Sequence, residues 1–274
     1  MKAADAHALF TDYLPATAGS GDGLPLVMLH GWGMNLRVFD LLRADLAADV
    51  ATLAVDLPGH GRSPWWPGAT SFEVQQQAVL AALPPRCVLL GWSFGAKLAM
   101  AIAAAQPQRV AALVLLSASP KFAQGEGWPH GMEPLALRAF DTVLKQDWQR
   151  TLQDFIALQL RGSRSAEESQ QAIESALAAQ GAPQREALLA GMALLESIDQ
   201  RPIVARIPQP ALIVAGRNDR VTPPGAAQWL SQTLPDARLF EVPRAGHAPM
   251  VSHHAEVAAQ VRGFLATLPR GLPA

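Results

Sequence analysis

The chain has 274 residues, half of them hydrophobic, with a formal net charge of −1 and a single cysteine. This composition supports a sizeable buried core and excludes a disordered chain. The near-neutral charge leaves no basic footprint for nucleic acid, and Cys87 has no partner for an internal disulfide.

No run of about 18 apolar residues is present, so no membrane span is expected. The opening stretch "MKAADAHALFTDYLPATAGSG" lacks an apolar core of signal-peptide length. A cytoplasmic, monomeric protein is the expectation.

In chain order, apolar runs at residues 25–30, 50–55, 86–91, 110–116, 210–216 and 237–242 read as strands. They are continuous rather than alternating, as for strands buried on both faces. Helix-period segments such as "LRVFDLLRADLAA" and "SFEVQQQAVLAAL" lie between them. Strands alternating with helices predict an α/β fold with a mostly parallel, doubly wound sheet. Cys87, in the run at 86–91, reads as a small core residue.

The alternation stops between about residues 120 and 197. Four helical stretches follow there: "PLALRAFDTVLKQ", "DWQRTLQDFIALQL", "SAEESQQAIESALAA" and "QREALLAGMALLE". They are too apolar to be a solvated linker, and read as a helical cap insertion over the strand ends. The expected organisation is a core from 1–119 and 198–274, with a cap at 120–197.

Residues 91–95, Gly-Trp-Ser-Phe-Gly, fit a G-x-S-x-G nucleophile elbow between a strand and a helix. Such a turn strains the serine backbone and lifts its hydroxyl clear of the sheet. The glycines let strand and helix approach. A serine hydroxyl needs a base, and the base needs an orienting acid. In this chain order, Asp219 follows the strand at 210–216 and His247 follows the strand at 237–242. Both therefore join Ser93 at the C-terminal edge of the sheet.

Asp199 is a rival acid, but it precedes its strand and is expected at the wrong end of the sheet. His253 and His254 are rival bases, expected at the exposed start of the last helix. Taken singly, a loop aspartate is often a turn former and a loop histidine is often only solvated. Their joint placement favours catalysis.

An oxyanion hole needs two N–H donors. The residue after the nucleophile, Phe94, supplies one, and the loop His30-Gly31-Trp32-Gly33 supplies the other through Trp32. "DLPGHGRS" at 56–63 reads as a turn organised by Asp56, Gly59 and Gly61. No histidines show paired metal-ligand spacing, and no nucleotide loop is present. Neither a metal nor a cofactor is expected.

The motifs "HGWG", "DLPGHGRS", "GWSFG", "AGRNDRVTP" and "AGHAP" together resemble the α/β-hydrolase family over essentially the whole chain. Within it, "MLHGWGMN", "LGWSFG", "EGWP", "DWQRTLQDFIALQ" and "AGHAPMVSHHAE" resemble the carboxylesterases of biotin synthesis. The resemblance implies hydrolysis of the methyl ester on a pimeloyl chain carried by acyl carrier protein. It also implies substrate contacts at Trp32, Ser93, Phe94, Phe155, Ile156, Ala157, Leu158, Gln159 and His247. An apolar cap-helix face explains Phe155 and Leu158 as well; it explains Gln159 less well.

The resemblance implies docking of the acidic carrier by basic cap residues. Residues 120–196 hold seven Lys/Arg against ten Asp/Glu, so the cap is net acidic. Arg138, Arg150, Arg161 and Arg164 remain candidates for a local basic patch, since steering depends on charge distribution. A solvated mixed-charge surface accounts for them equally. The rival readings are a broad short-chain esterase, a carbon–carbon hydrolase, and a noncatalytic receptor on the same scaffold.

Overall fold

The apolar runs form strands, and their spatial order differs from their order in the chain. The computed structural model describes residues 7–18 and 23–269. Its first half contains β1 (Thr11–Leu14), β2 (Leu26–Leu29), α1 (Asp40–Leu46), β3 (Thr52–Val55), α2 (Phe72–Ala82), β4 (Cys87–Trp92), α3 (Phe94–Ala105) and β5 (Val110–Leu116). Four helices come next: α4 (Pro134–Gln146), α5 (Trp148–Leu160), α6 (Ala166–Gln180) and α7 (Arg185–Ser197). The chain then forms α8 (Arg201–Val204), β6 (Ala211–Gly216), α9 (Pro224–Thr233), β7 (Ala237–Val242), α10 (Pro249–Ser252) and α11 (His254–Leu265).

The seven strands form one sheet in the order β1-β3-β2-β4-β5-β6-β7. All neighbours are parallel except β1, which runs antiparallel to β3. From β2 the chain winds outward to β3, and from β4 it winds the other way to β7. The reversal lies between β2 and β4, and in sheets of this kind sites are built at the carboxyl ends of the strands at such a point. The loops leaving β2 and β4 carry His30-Gly31-Trp32 and Ser93.

β2, β4 and β6 are buried along their whole length, as their unbroken apolar sequence requires. β7 is only partly buried, because it lies at the sheet edge. On the β4 side, α3 packs against β4 and β5, with Ala96, Leu98, Ala99, Met100 and Ile102 buried in the core. α1 packs against α11. Cys87 is fully buried, and burial pushes its thiol up to about 12, consistent with an inert core residue.

α4 to α7 lie between β5 and β6, with bounds within a residue of the expected ones. Asp147 caps α5 by accepting the Arg150 N–H at 3.1 Å. The segment entering these helices is tied to the segment leaving them. Gln200 N–H donates to Pro120 O at 2.9 Å, and Lys121 pairs with Asp199 at 3.4 Å. This corrects one expectation. Asp199 lies beside Lys121, on the segment that leaves the C-terminal end of β5, and not at the opposite end of the sheet.

Candidate active site

Ser93 sits between the last residue of β4 and the first of α3, with φ 54° and ψ −110°. A serine holds this left-handed backbone only where its surroundings impose it. The turn is forced by close packing on both sides. A methyl group on Gly91 would lie 2.5 Å from Ala96 Cα, and one on Gly95 would collide with the backbone of Leu29. Ser93 is half-buried, at the start of a helix whose first two N–H groups, of Phe94 and Gly95, have no acceptor among the described residues.

His247 lies in the loop after β7 and is buried. Its Nδ1 donates to Asp219 Oδ2 at 2.8 Å, so its Nε2 is the free face of the ring. Among the described residues that Nε2 has no hydrogen-bond partner. Asp219, in the loop after β6, is held on its other oxygen. The N–H groups of Val221 and Thr222 donate to Oδ1 at 2.8 and 2.9 Å. Trp92 donates its indole N–H to His247 O at 2.8 Å, and the Gln159 carbonyl accepts the His247 N–H at 2.7 Å. These two bonds tie the histidine loop to the serine turn on one side and to α5 on the other.

Among the described residues, neither the Trp32 N–H nor the Phe94 N–H has an acceptor. The Trp32 loop is braced from beneath by two histidines. His60 Nε2 accepts the Gly33 N–H at 3.3 Å, and His30 Nε2 accepts the Leu57 N–H at 2.9 Å. Their Nδ1 atoms face the carbonyls of Pro58 and Gly31. Burial holds both rings neutral, with His30 lowered to about 4 and His60 to about 3. His30 is therefore a structural brace.

"DLPGHGRS" is the turn its sequence suggests. Asp56 accepts N–H bonds from Leu36 at 2.8 Å and Arg62 at 2.9 Å. Gly59 and Gly61 adopt φ of 71° and 53°.

α5 and α7 roof the Trp32 side. The Trp32 indole meets Phe155 edge-on at 5.1 Å and Phe140 at 5.7 Å, and its N–H donates to Leu188 O at 2.9 Å. Phe155, Ile156 and Gln159 are buried, Leu158 is partly buried, and Ala157 is exposed. The five-residue segment therefore does not present one face, because a helix turns Ala157 outward. Gln159 Nε2 is buried without a partner among the described residues. A hydrogen-bonding ligand group would satisfy it.

The rivals are accounted for elsewhere. Asp199 forks onto Arg201, with Oδ2 2.6 Å from Nη2. His254 donates to Asp45 at 2.6 Å. His253 is buried, not exposed, with its Nδ1 2.9 Å from Ser252 Oγ. It closes the end of α10, where the chain turns into α11. Sequence reasoning missed Thr222, Ser117 and Trp92. Each makes its contact through a loop geometry that its local sequence does not specify.

The sequence model of the alpha/beta hydrolase family matches residues 26–260. A protein of Klebsiella pneumoniae named pimeloyl-[acyl-carrier protein] methyl ester esterase is 41% identical over 239 residues, covering 87% of this chain and 92% of that protein. One of the same name from Chromobacterium violaceum is 38% identical, covering 90% and 96%. Among solved structures, an esterase from Exiguobacterium antarcticum superposes with a TM-score of 0.83 at 21% identity, covering 94% of this chain and 96% of that one. An enol-lactonase from Burkholderia xenovorans gives a TM-score of 0.81 at 19% identity, covering 94% and 96%. At that identity the structures speak for the fold alone. On the family match and these relatives, the chain belongs to the alpha/beta hydrolase family.

Proposed function

We propose that the chain is a serine carboxylesterase that hydrolyses the methyl ester of pimeloyl-acyl-carrier protein, with Ser93, His247 and Asp219 as its catalytic triad. The observation that carries the chemistry is His247. Its Nδ1 is committed to Asp219, its Nε2 is buried without a partner, and its loop is hydrogen-bonded to Trp92, the residue before Ser93 in the strained turn. The names and coverage of the relatives carry the substrate.

In this reading Ser93 Oγ attacks the methyl ester carbonyl while His247 Nε2 takes its proton. Negative charge gathers on the carbonyl oxygen, where the N–H groups of Trp32 and Phe94 receive it. The carbon–oxygen bond to the methoxy group breaks, and His247 returns the proton so that methanol leaves. A water then gives its proton to His247 and attacks the acyl-enzyme. The bond between the acyl carbon and Ser93 Oγ then breaks, His247 returns the proton to Oγ, and the free carboxylate departs with its chain still on the carrier. Asp219 holds the imidazole tautomer and stabilises its cation.

Trp32, Phe94, Phe155, Ile156, Leu158 and Gln159 would line the acyl chain, with α4–α7 as the cap. Ala157 would contribute backbone only. Arg138, Arg150, Arg161 and Arg164 are all exposed and could meet an acidic carrier. Arg161 and Arg164 support this best. The Arg164 backbone N–H donates to Arg244 O at 3.0 Å, so a further exposed arginine lies beside this segment. Arg150 is partly offset by Asp154, 3.9 Å away. We further propose a monomer acting in the cytoplasm; no described helix is long and apolar enough to cross a membrane.

The test compares kcat/KM for carrier-bound pimeloyl methyl ester and for free dimethyl pimelate, with Ser93→Ala alongside. Preference for the carrier-bound ester and an inactive variant are expected. Cleavage of the free ester alone would remove the carrier, and cleavage of neither would remove the esterase.

A further inference from the structure

We propose that Thr222 is a positioning residue whose hydroxyl holds the Asp219–His247 pair in register with the Ser93 turn. The inference rests on the triad reading above and adds a residue to it.

Thr222 is buried, three residues after Asp219, and its Oγ1 sits where three groups converge. It lies 2.8 Å from Asp219 Oδ2, 3.3 Å from His247 Nδ1 and 3.1 Å from Ser117 O. A hydroxyl has one proton to donate and two lone pairs to accept with. If it donates to Oδ2, Asp219 has four donors: two backbone N–H groups on Oδ1, and the imidazole and hydroxyl on Oδ2. The carboxylate then cannot rotate away from the ring without breaking several bonds at once. If it donates to Ser117 O, a lone pair faces the imidazole N–H, which is shared between Oδ2 and Oγ1. In both arrangements the hydroxyl fixes where Nδ1 lies.

The Ser117 contact extends this to the nucleophile. Ser117 is the first residue after β5 and takes a φ of 44°, a conformation that a non-glycine residue adopts only under constraint. Its N–H donates to Val214 O in β6 at 2.8 Å, and in the second arrangement its carbonyl receives the Thr222 hydroxyl. The preceding carbonyl, of Leu116, accepts the Ser93 N–H at 3.0 Å. With the hydroxyl proton on Ser117 O, one continuous path of bonds runs from Ser93 through the end of β5 to Thr222 and on to the His247 Nδ1–H. A valine at 222 would fill the same space and break the path.

The test uses Thr222→Val, Thr222→Ser and Ser93→Ala, assayed on p-nitrophenyl butyrate so that carrier recognition plays no part. Thr222→Val is expected to lower kcat about tenfold or more with KM nearly unchanged, the size of one hydrogen bond to a charged group. Thr222→Ser, which keeps the hydroxyl, is expected to restore most of that loss. A merely structural threonine would lower the melting temperature and leave kcat alone. Wild-type kcat in Thr222→Val, or an equal fall in the Ser variant, overturns the proposal. If the Val variant does not fold, the ratio of Thr222→Ser to Thr222→Ala gives the same reading. Turnover surviving in Ser93→Ala would sink the triad itself; a dead Ser93→Ala beside a fully active Thr222→Val would sink only the role of Thr222.

Discussion

Trp92, the residue before Ser93, donates its indole N–H to the backbone carbonyl of His247 at 2.8 Å. The bond spans from the end of β4 to the loop after β7 and passes over two intervening strands. It fixes the histidine loop against the serine turn from a position that is itself fully buried. Replacing Trp92 with Phe keeps an aromatic ring and leaves that carbonyl unpaired. A loss of about 1–3 kcal/mol in stability is expected, with a fall in kcat larger than any change in KM. Urea unfolding and steady-state kinetics on one preparation separate the two effects.

Asp219→Asn tests the acid. The side chain stays nearly isosteric, but its amide can present N–H to His247 Nδ1 and favour the wrong tautomer. A fall in kcat on the order of 10⁴ is expected from this kind of change, with the melting temperature little altered. A fall of only a few-fold would assign Asp219 to the turn rather than to the reaction.

The two brace histidines make stability sensitive to acid. Burial lowers His30 to about 4 and His60 to about 3, whereas both titrate near 6.5 in the unfolded chain. Below pH 6.5 the unfolded state binds protons that the folded state refuses. Their contribution is therefore present above 6.5 and is lost as pH falls towards 4. The slope is at most about 1.4 kcal/mol per pH unit for each ring. Urea unfolding at pH 7.5 and 4.5 should show this loss. A His60→Gln variant should be weaker at pH 7.5 but lose less on acidification. An equal loss in both proteins contradicts the account.

Lys97 predicts a dependence at the other end of the scale. It is buried in the first turn of α3, with Nζ 3.1 Å from Ser119 O, and desolvation lowers it from 10.5 to about 7, partly offset by Asp199. Between pH 7 and 10.5 the unfolded state binds the proton more readily, so this site's destabilising effect is relieved as pH rises. The slope again cannot exceed about 1.4 kcal/mol per pH unit. Lys97→Met, of similar length, is expected to flatten stability between pH 7.5 and 9.5. An unchanged slope would mean that the amine reaches water.

The parts of the fold most visible in the sequence are those with unbroken apolar runs. Residues 110–116 and 237–242 became β5 and β7 with the same bounds. β1 was not legible, because "TDYL" is four residues of mixed polarity at a sheet edge and gains its place by pairing with β3. At the candidate site, spacing put Ser93, Asp219 and His247 at strand ends because the carboxyl edge of a parallel sheet gathers such loops. The geometry around them was not visible. Nothing in "NDRVTPP" says that the Thr222 hydroxyl turns back onto Asp219. Nothing in "SHHAE" says that His253 is buried while His254 pairs with Asp45. Its place before β6 suggests the far end of the sheet for Asp199, whereas its pairing with Lys121 holds it beside the segment that leaves β5.

The most direct test of the central claim is to locate the site of fluorophosphonate labelling by peptide mass spectrometry while following turnover of the carrier-bound ester. The account predicts one label per chain, on Ser93, with turnover lost in proportion. It also predicts no label on Asp219→Asn at a concentration that saturates the wild-type protein. Labelling at another residue, or full turnover by a chain labelled on Ser93, would contradict it.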